Sequence, residues 1–360
     1  MAPRRLTGLR PQTYEHPLDA QALNALQKTS GLEPVIRKCN EWGFERLLRV
    51  QLTGSHLRVT PDSVPDVHEK LLAACDILDL PKVPDLYIAS GDDLNAFTAG
   101  VERPLIVLNA GTVDRLTDDE LLFVIAHEVG HIKSGHVLYY QIAEFLPVIG
   151  AIVGGATFGL GELLSAGLQV ALLNWKRMSE FTADRAGLLA SQDANVPITA
   201  MMKIAGLPQK YHGAINPEDF IAQAREFKAL DTDKLNWFVK ALSTMGQTHP
   251  WTVMRASQFL AWVDSGEYAA VVNAEHALPP GIGAHPRCRA QPSALSAAAG
   301  SSLKHASAPA VALPFRERRL REICNHRDDR RWRGRLAGAV DRTATPHCGD
   351  RPLSCGRAGV

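Results

Sequence analysis

Five consecutive residues, His127-Glu128-Val129-Gly130-His131, constrain this chain more than anything else in it. Two histidines four apart share one face of an α-helix, so both imidazoles can hold a single metal ion. The glutamate beside the first histidine is then placed to act as a base on water at that metal. Such a site needs a rigid helix, and the flanking sequence supplies one. Thr117 and Glu120 have capping-box spacing at its start, while Leu121, Leu122, Val124 and Ile125 give it an apolar stripe. The pattern predicts a helix continuing to about Val137.

A third ligand decides the class of site. In metzincins it comes from H-E-x-x-H-x-x-G-x-x-H, which needs Gly at 134 and His at 137; Ser134 and Val137 stand there instead. Gluzincins use a Glu on a later helix with an Asp four residues on, and Ser179-Glu180-Phe181-Thr182-Ala183-Asp184 fits that arrangement. Glu180 and Asp184 share a helix face, so one can bind metal while the other accepts a hydrogen bond from a ligand imidazole. His136 lies five residues after His131, about 140° round a regular helix, and is not read as a ligand of the same ion. His16, His56, His68, His212 and His276 have no partner at ligand spacing, and the Cys and His residues after 281 match no standard zinc pattern.

Over roughly residues 90–260 the chain resembles the family that contains HtpX and the CAAX prenyl endopeptidases, peptidase family M48. Besides the two metal motifs, Asn95-Ala96-Phe97 is similar to the family's edge strand upstream of the zinc helix. Thr248-His249-Pro250, with Arg255 six residues after the His, is similar to its H-P…R element. The resemblance implies an α+β fold, a mostly helical gluzincin domain with a small twisted β-sheet packed on the metal helix. It implies one Zn²⁺ per chain held by His127, His131 and Glu180, with Glu128 as general base. Asp184 would orient His127 with Arg255 beside it, Asn95 and Ala96 would pair with substrate backbone, and His249 would lie near the scissile carbonyl. The implied activity is a zinc-dependent metalloendopeptidase acting on exposed or unfolded polypeptide. Elementary chemistry agrees: three protein ligands leave zinc a position for water, a carboxylate can carry the proton, and an open sheet edge takes an extended peptide. A chaperone-like scaffold that binds peptides without cutting them is the alternative, and the intact Glu128 argues against it.

The chain divides into a lead over 1–45, a metallopeptidase domain over 46–280 and an Arg- and Ala-rich tail over 281–360. In the lead a helix is expected at 18–27. The runs 47–52 and 56–60, flanking Thr53-Gly54-Ser55, read as a β-hairpin. A helix is expected at 66–80, strands at 85–89, 95–98 and 105–109, and helices at 176–192, 198–205, 216–228, 232–243, 251–263 and 267–274. Residues 1–280 carry a formal charge of −8 and residues 281–360 carry +9, with 14 Arg and one Lys. With helical periodicity lost there, the tail is expected to be disordered. The acidic body opposes nucleic-acid binding through the tail, so peptides rather than nucleic acids are the expected partners.

Residues 145–161 form a run of 17 residues without a charge, the lower limit for a membrane-spanning helix. A single crossing would put His127 and Glu180 on opposite sides, although both must reach one ion. A second crossing over 163–175 would be about 20 Å long, short of the ~30 Å hydrocarbon core. A buried or interfacial helical hairpin beside the metal helix is expected instead, with any membrane contact peripheral and through 145–175. Residues 1–18 lack an apolar signal core, and Cys39 and Cys75 stand isolated in the body. The chain is therefore expected to be cytoplasmic or membrane-associated and not secreted.

Overall fold

A computed structural model of the chain describes residues 3–29, 32, 35–36, 43–154, 160–214, 216–229 and 251–274, all within the unit Met1–Pro292. The expected helix at 232–243, the Thr248-His249-Pro250 element and the tail lie outside the described residues.

Short runs rich in branched and apolar residues build the sheet: β1 (Leu57–Arg58), β2 (Asp85–Ala89), β3 (Ala96–Ala99) and β4 (Leu105–Asn109). Their order is β1-β2-β4-β3. β2 and β4 are parallel, in register from Asp85↔Leu105 to Ala89↔Asn109. β3 runs antiparallel to β4, with Ala96 opposite Leu108 and Ala99 opposite Leu105. β3 therefore forms one edge of the sheet. Because side chains alternate along a strand, β4 sends Ile106 and Leu108 to one face and Leu105 and Val107 to the other. The first face joins the main core, with Val67, Leu71 and Ala74 of helix α4 (Pro65–Ile77) and with Leu121 and Ile125 of the metal-motif helix. Leu6, Leu9 and Tyr14, from the lead, lie in the same core.

The second face is covered by helix α3 (Phe44–Ser55), where a hairpin strand was expected. Gly43 opens α3 in the left-handed region at φ 64°. Leu48 and Leu52, four apart, then meet the sheet, while Leu47 and Val50 are 61% and 65% exposed. The run Leu47-Leu48-Arg49-Val50-Gln51-Leu52 fits both periods, and the sheet face that needed covering selected the helix.

α6 (Asp118–Lys133) carries the HExxH motif and starts at the expected capping box, with Thr117 and Glu120 bonded reciprocally. It stops short of Val137 because Gly135 takes φ +74°. His136 N–H then donates to His131 C=O and Gly135 N–H to Ile132 C=O, the two bonds of a Schellman motif. α7 (Val137–Gly154) and α8 (Leu160–Ser191) follow, so the helix expected at 176–192 is the end of a longer one. Glycine lets α6 and α8 approach closely. A Cβ on Gly130 would sit 2.5 Å from that of Ala186, and one on Gly187 would sit 2.5 Å from the Phe123 ring. Tyr140, Ile142 and Leu146 of α7 pack with Leu168, Leu172 and Trp175 of α8 and with Leu26 of α2 (Pro17–Gln27). Among the described residues, no helix is long and apolar enough to cross a membrane. α11 (Thr252–Asp264) closes the body beside α8 and brings Arg255 into it.

Candidate metal centre

His127 and His131 project from one face of α6 into the buried gap between α6 and α8, their Nε2 atoms 3.1 Å apart. Glu180 reaches them from α8, with Oε2 3.5 Å from His127 Nε2 and Oε1 3.5 Å from His131 Nε2. Donors about 2.0–2.1 Å from a tetrahedral ion lie roughly 3.3–3.4 Å from each other. One donor atom from each of the three residues lies within 4.8 Å of the other two, close enough to converge on a single ion. Two imidazoles and a carboxylate also leave a fourth position open, the pattern of catalytic rather than structural sites.

Each candidate ligand is held by a buried partner. Asp184 Oδ1 lies 3.1 Å from His127 Nδ1, which turns the Nε2 side of that ring toward the site. Arg255 in turn holds Asp184 through both carboxylate oxygens. Burial alone would raise the Asp184 carboxyl, but Arg255 and His127 outweigh it and keep it below the usual range. Burial alone would depress His127, but the carboxylates of Asp184 and Glu180 hold it up at about 9. Burial wins at His131, which falls to about 3. Tyr140 O–H donates to Glu180 Oε1 at 2.7 Å, and burial pushes its phenol well above the usual value. His131 Nδ1 faces His136 Nδ1 at 2.9 Å.

Sequence reasoning missed Tyr140 and His136 as neighbours of the candidate ligands. Tyr140 sits in the first turn of α7 and carries no spacing signal. For His136 the one available clue was Gly135, since a left-handed residue breaks the regular helix on which the 140° separation rests.

Glu128 is buried between two cavities, which both also touch Asn95, Ala96 and Glu180. The smaller, about 120 Å³, is lined by Leu116, Phe123, Val124 and Ile204. The larger, about 510 Å³, is lined by Leu48, Leu52, Phe97, Ala99, Tyr140 and Lys176. Of β3, Ala96 touches both, and Phe97, Thr98 and Ala99 line the larger alone. Asn109 N–H donates to Asn95 C=O, and Asn95 N–H donates to Thr112 Oγ1. The Asn95 main chain is thus taken up by β4 and by Thr112, and Asn95 lines both cavities. Since bonded and non-bonded pairs alternate along an antiparallel ladder, the backbone groups of Ala96 and Thr98 face the open edge. Arg255 stands in the site as described; His249 is outside the described residues.

The model of peptidase family M48 matches residues 61–263. This chain belongs to peptidase family M48. It is 31% identical over 261 residues to the plastoglobule-localized metallopeptidase 48 (chloroplastic) of Arabidopsis thaliana, covering 72% of this chain and 74% of that relative. To the protease HtpX homolog 2 of Methanosarcina acetivorans it is 31% identical over 179 residues, 43% of this chain and 60% of the relative. The protease HtpX homolog of Ralstonia pickettii is 25% identical over 236 residues, 59% and 79% respectively. No solved structure matches the chain. As an HtpX-like M48 metallopeptidase the protein is a hydrolase of the protease type, and His127, His131 and Glu180 form its candidate metal site.

Proposed function

We propose that this M48 peptidase is a zinc-dependent endopeptidase cleaving internal bonds of exposed or unfolded polypeptide. The observation that carries the reading is Glu128 set beside the three-donor cluster, between two cavities, under an open strand edge. Zn²⁺ held by His127, His131 and Glu180 would supply Lewis-acid activation of water and of the scissile carbonyl. Ala96 and Thr98 align an extended substrate by strand addition, which a folded domain cannot offer. The two cavities take side chains on either side of the bond to be cut, so substrate extends both ways from Glu128 and cleavage is internal. Glu128 takes the proton of the attacking water and later delivers it to the departing amine nitrogen. Oxygen adds to the carbonyl carbon, the C–N bond breaks, and Glu128 ends the cycle as it began. Asp184 and Arg255 keep His127 oriented, and Tyr140 does so for Glu180.

Metal analysis beside a casein-cleavage assay tests this reading. Wild type should carry about one zinc per chain and cleave casein. Glu128→Gln should keep the zinc and lose at least two orders of magnitude of cleavage, within the ~10²–10⁴-fold of general-base catalysis or beyond it. Equal cleavage by both would remove Glu128 from the mechanism. Zinc-loaded wild type that binds peptides without cutting them would favour the peptide-binding alternative.

A further inference from the structure

His127 has its carboxylate directly, in Asp184. His131 reaches one through a second ring. His131 Nδ1 lies 2.9 Å from His136 Nδ1, and His136 Nε2 lies 3.2 Å from Asp19 Oδ2. The same Asp19 oxygen accepts from Thr182 Oγ1 at 2.6 Å, and Thr182 Oγ1 accepts from His16 N–H at 3.0 Å. Asp19, His136 and His131 are all at most 2% exposed. We propose that Asp19, acting through His136, is a positioning residue for His131, fixing it in the tautomer that offers Nε2 to the metal. The inference rests on the metal-site reading above.

Hydrogen-bond bookkeeping leads to this role. A contact between two ring nitrogens is a hydrogen bond only when one of them carries the proton. His136 Nε2 faces a carboxylate oxygen, which accepts, so Nε2 carries the proton. A neutral imidazole protonated at Nε2 has a bare Nδ1, so His136 accepts from His131 Nδ1–H. The lone pair of His131 is then left on Nε2, which faces His127 and Glu180. The reverse arrangement would put a proton on the atom that has to bind metal. The negative charge of Asp19 thus selects, across two rings, where His131 is basic.

Two features of the fold bring this chain together. The left-handed Gly135 folds His136 back beneath His131, and the His136 ring packs edge-on against Trp175 with centroids 5.5 Å apart. Asp19 lies in the first turn of α2 and docks on Thr182, midway between Glu180 and Asp184 on α8. His136 is inside the stretch matched to the family, 61–263, whereas Asp19 lies well before it. A segment that reads as a lead to the enzyme therefore supplies one of the groups that hold its metal ligands.

The test uses the full chain and measures zinc dissociation constants by chelator competition, alongside melting of the metal-free protein. His136→Phe keeps ring volume against Trp175 but removes both nitrogens, and should weaken zinc about 10–100-fold, as loss of a ligand's hydrogen-bond partner does. Asp19→Ala should weaken it in the same range. Because both act through one chain, the double variant should bind no more weakly than His136→Phe alone. Leu71→Ala, a truncation in the α4 part of the core and outside the cluster of Tyr140 and Trp175, should lower the melting temperature and leave zinc affinity within about threefold. In zinc-loaded wild type labelled with ¹⁵N-histidine, long-range ¹H–¹⁵N spectra should show His136 protonated at Nε2 and His131 at Nδ1. This readout stands even where a variant fails to fold. Unchanged zinc affinity in Asp19→Ala, losses that multiply in the double variant, or His136 protonated at Nδ1 alone would overturn the inference. If wild type binds zinc and His131→Ala does not, any of those results leaves the metal site standing. Failure of wild type to bind zinc overturns both.

Discussion

Arg255 holds Asp184 with two parallel bonds, Nε to Oδ2 at 2.9 Å and Nη2 to Oδ1 at 2.5 Å, across 71 residues of sequence. Both side chains are buried, and Asp184 passes the orientation on to His127. Arg255→Met should leave a buried carboxylate without its main counter-charge and cost about 3–5 kcal/mol of stability. Asp184→Asn keeps the shape, and should instead show mainly in the metal, with zinc affinity about 10–100-fold weaker. Denaturant unfolding and chelator competition, run on both variants, separate the two effects. Equal stability of Arg255→Met and wild type would mean that the pair does not anchor α11 to α8.

Tyr140 is the partner of the third candidate ligand, Glu180. Its hydroxyl donates to Glu180 Oε1 and lies 2.9 Å from Ser179 Oγ. Tyr140→Phe should weaken zinc binding about tenfold or more while keeping the ring stacked near Trp175. Zinc affinity equal to wild type would show that Glu180 needs no such donor.

The larger cavity should set side-chain preference. Leu48 and Leu52 of α3 form part of its wall. Leu48→Trp should narrow it and lower kcat/KM at least tenfold for peptides with a bulky apolar residue beside the scissile bond. Peptides with Ala or Gly there should change less than threefold, since small side chains do not use the space. A uniform loss across the peptide series would mean that the cavity is not a specificity pocket.

How much of this was legible in the sequence follows from the range of each interaction. His127, His131, Glu180 and Asp184 could be placed because helical periodicity puts i and i+4 on one face wherever the helix sits. The strands at 85–89 and 105–109 were read to the residue because both are buried and nearly continuous in apolar character. The run 47–52 was misread because only the uncovered face of the sheet chooses between its two periods. His136 was set aside on the geometry of a regular helix that Gly135 ends. Asp19 left no trace, because its role exists only once α2 docks on Thr182, 163 residues away.

The tail gives a further expectation. Among the described residues the apolar core runs from Leu6 to Val271, and in sequence residues 281–360 carry the opposite charge and no helical periodicity. A chain ending at Pro280 should keep the melting temperature within about 2 °C, bind zinc as the full chain does and retain casein cleavage, the change expected when no core contact is lost. Loss of folding on truncation would place part of the tail in the core.

The last prediction concerns acid stability at the start of α6. Glu120 caps α6 at Thr117 N–H and pairs with Lys203 of helix α9 (Asn195–Ile204), Oε2 to Nζ at 2.5 Å. Burial alone would raise the Glu120 carboxyl, but Lys203 and the Thr117 N–H outweigh it and hold it below its ordinary 4.5. The folded chain therefore binds this proton more weakly than the unfolded one. Its contribution to stability is complete above the unfolded value and is lost as pH falls below it, through the lower folded value. Urea midpoints of the metal-free protein, measured from pH 7 to pH 3, should fall more steeply for wild type than for Glu120→Gln. Glu120→Gln should also start lower at pH 7, because Lys203 is then buried without its counter-charge. Metal-free protein is required, since proton competition at His127 would otherwise add its own pH dependence. Parallel pH profiles for the two proteins would show that the Glu120–Lys203 pair does not carry the acid sensitivity.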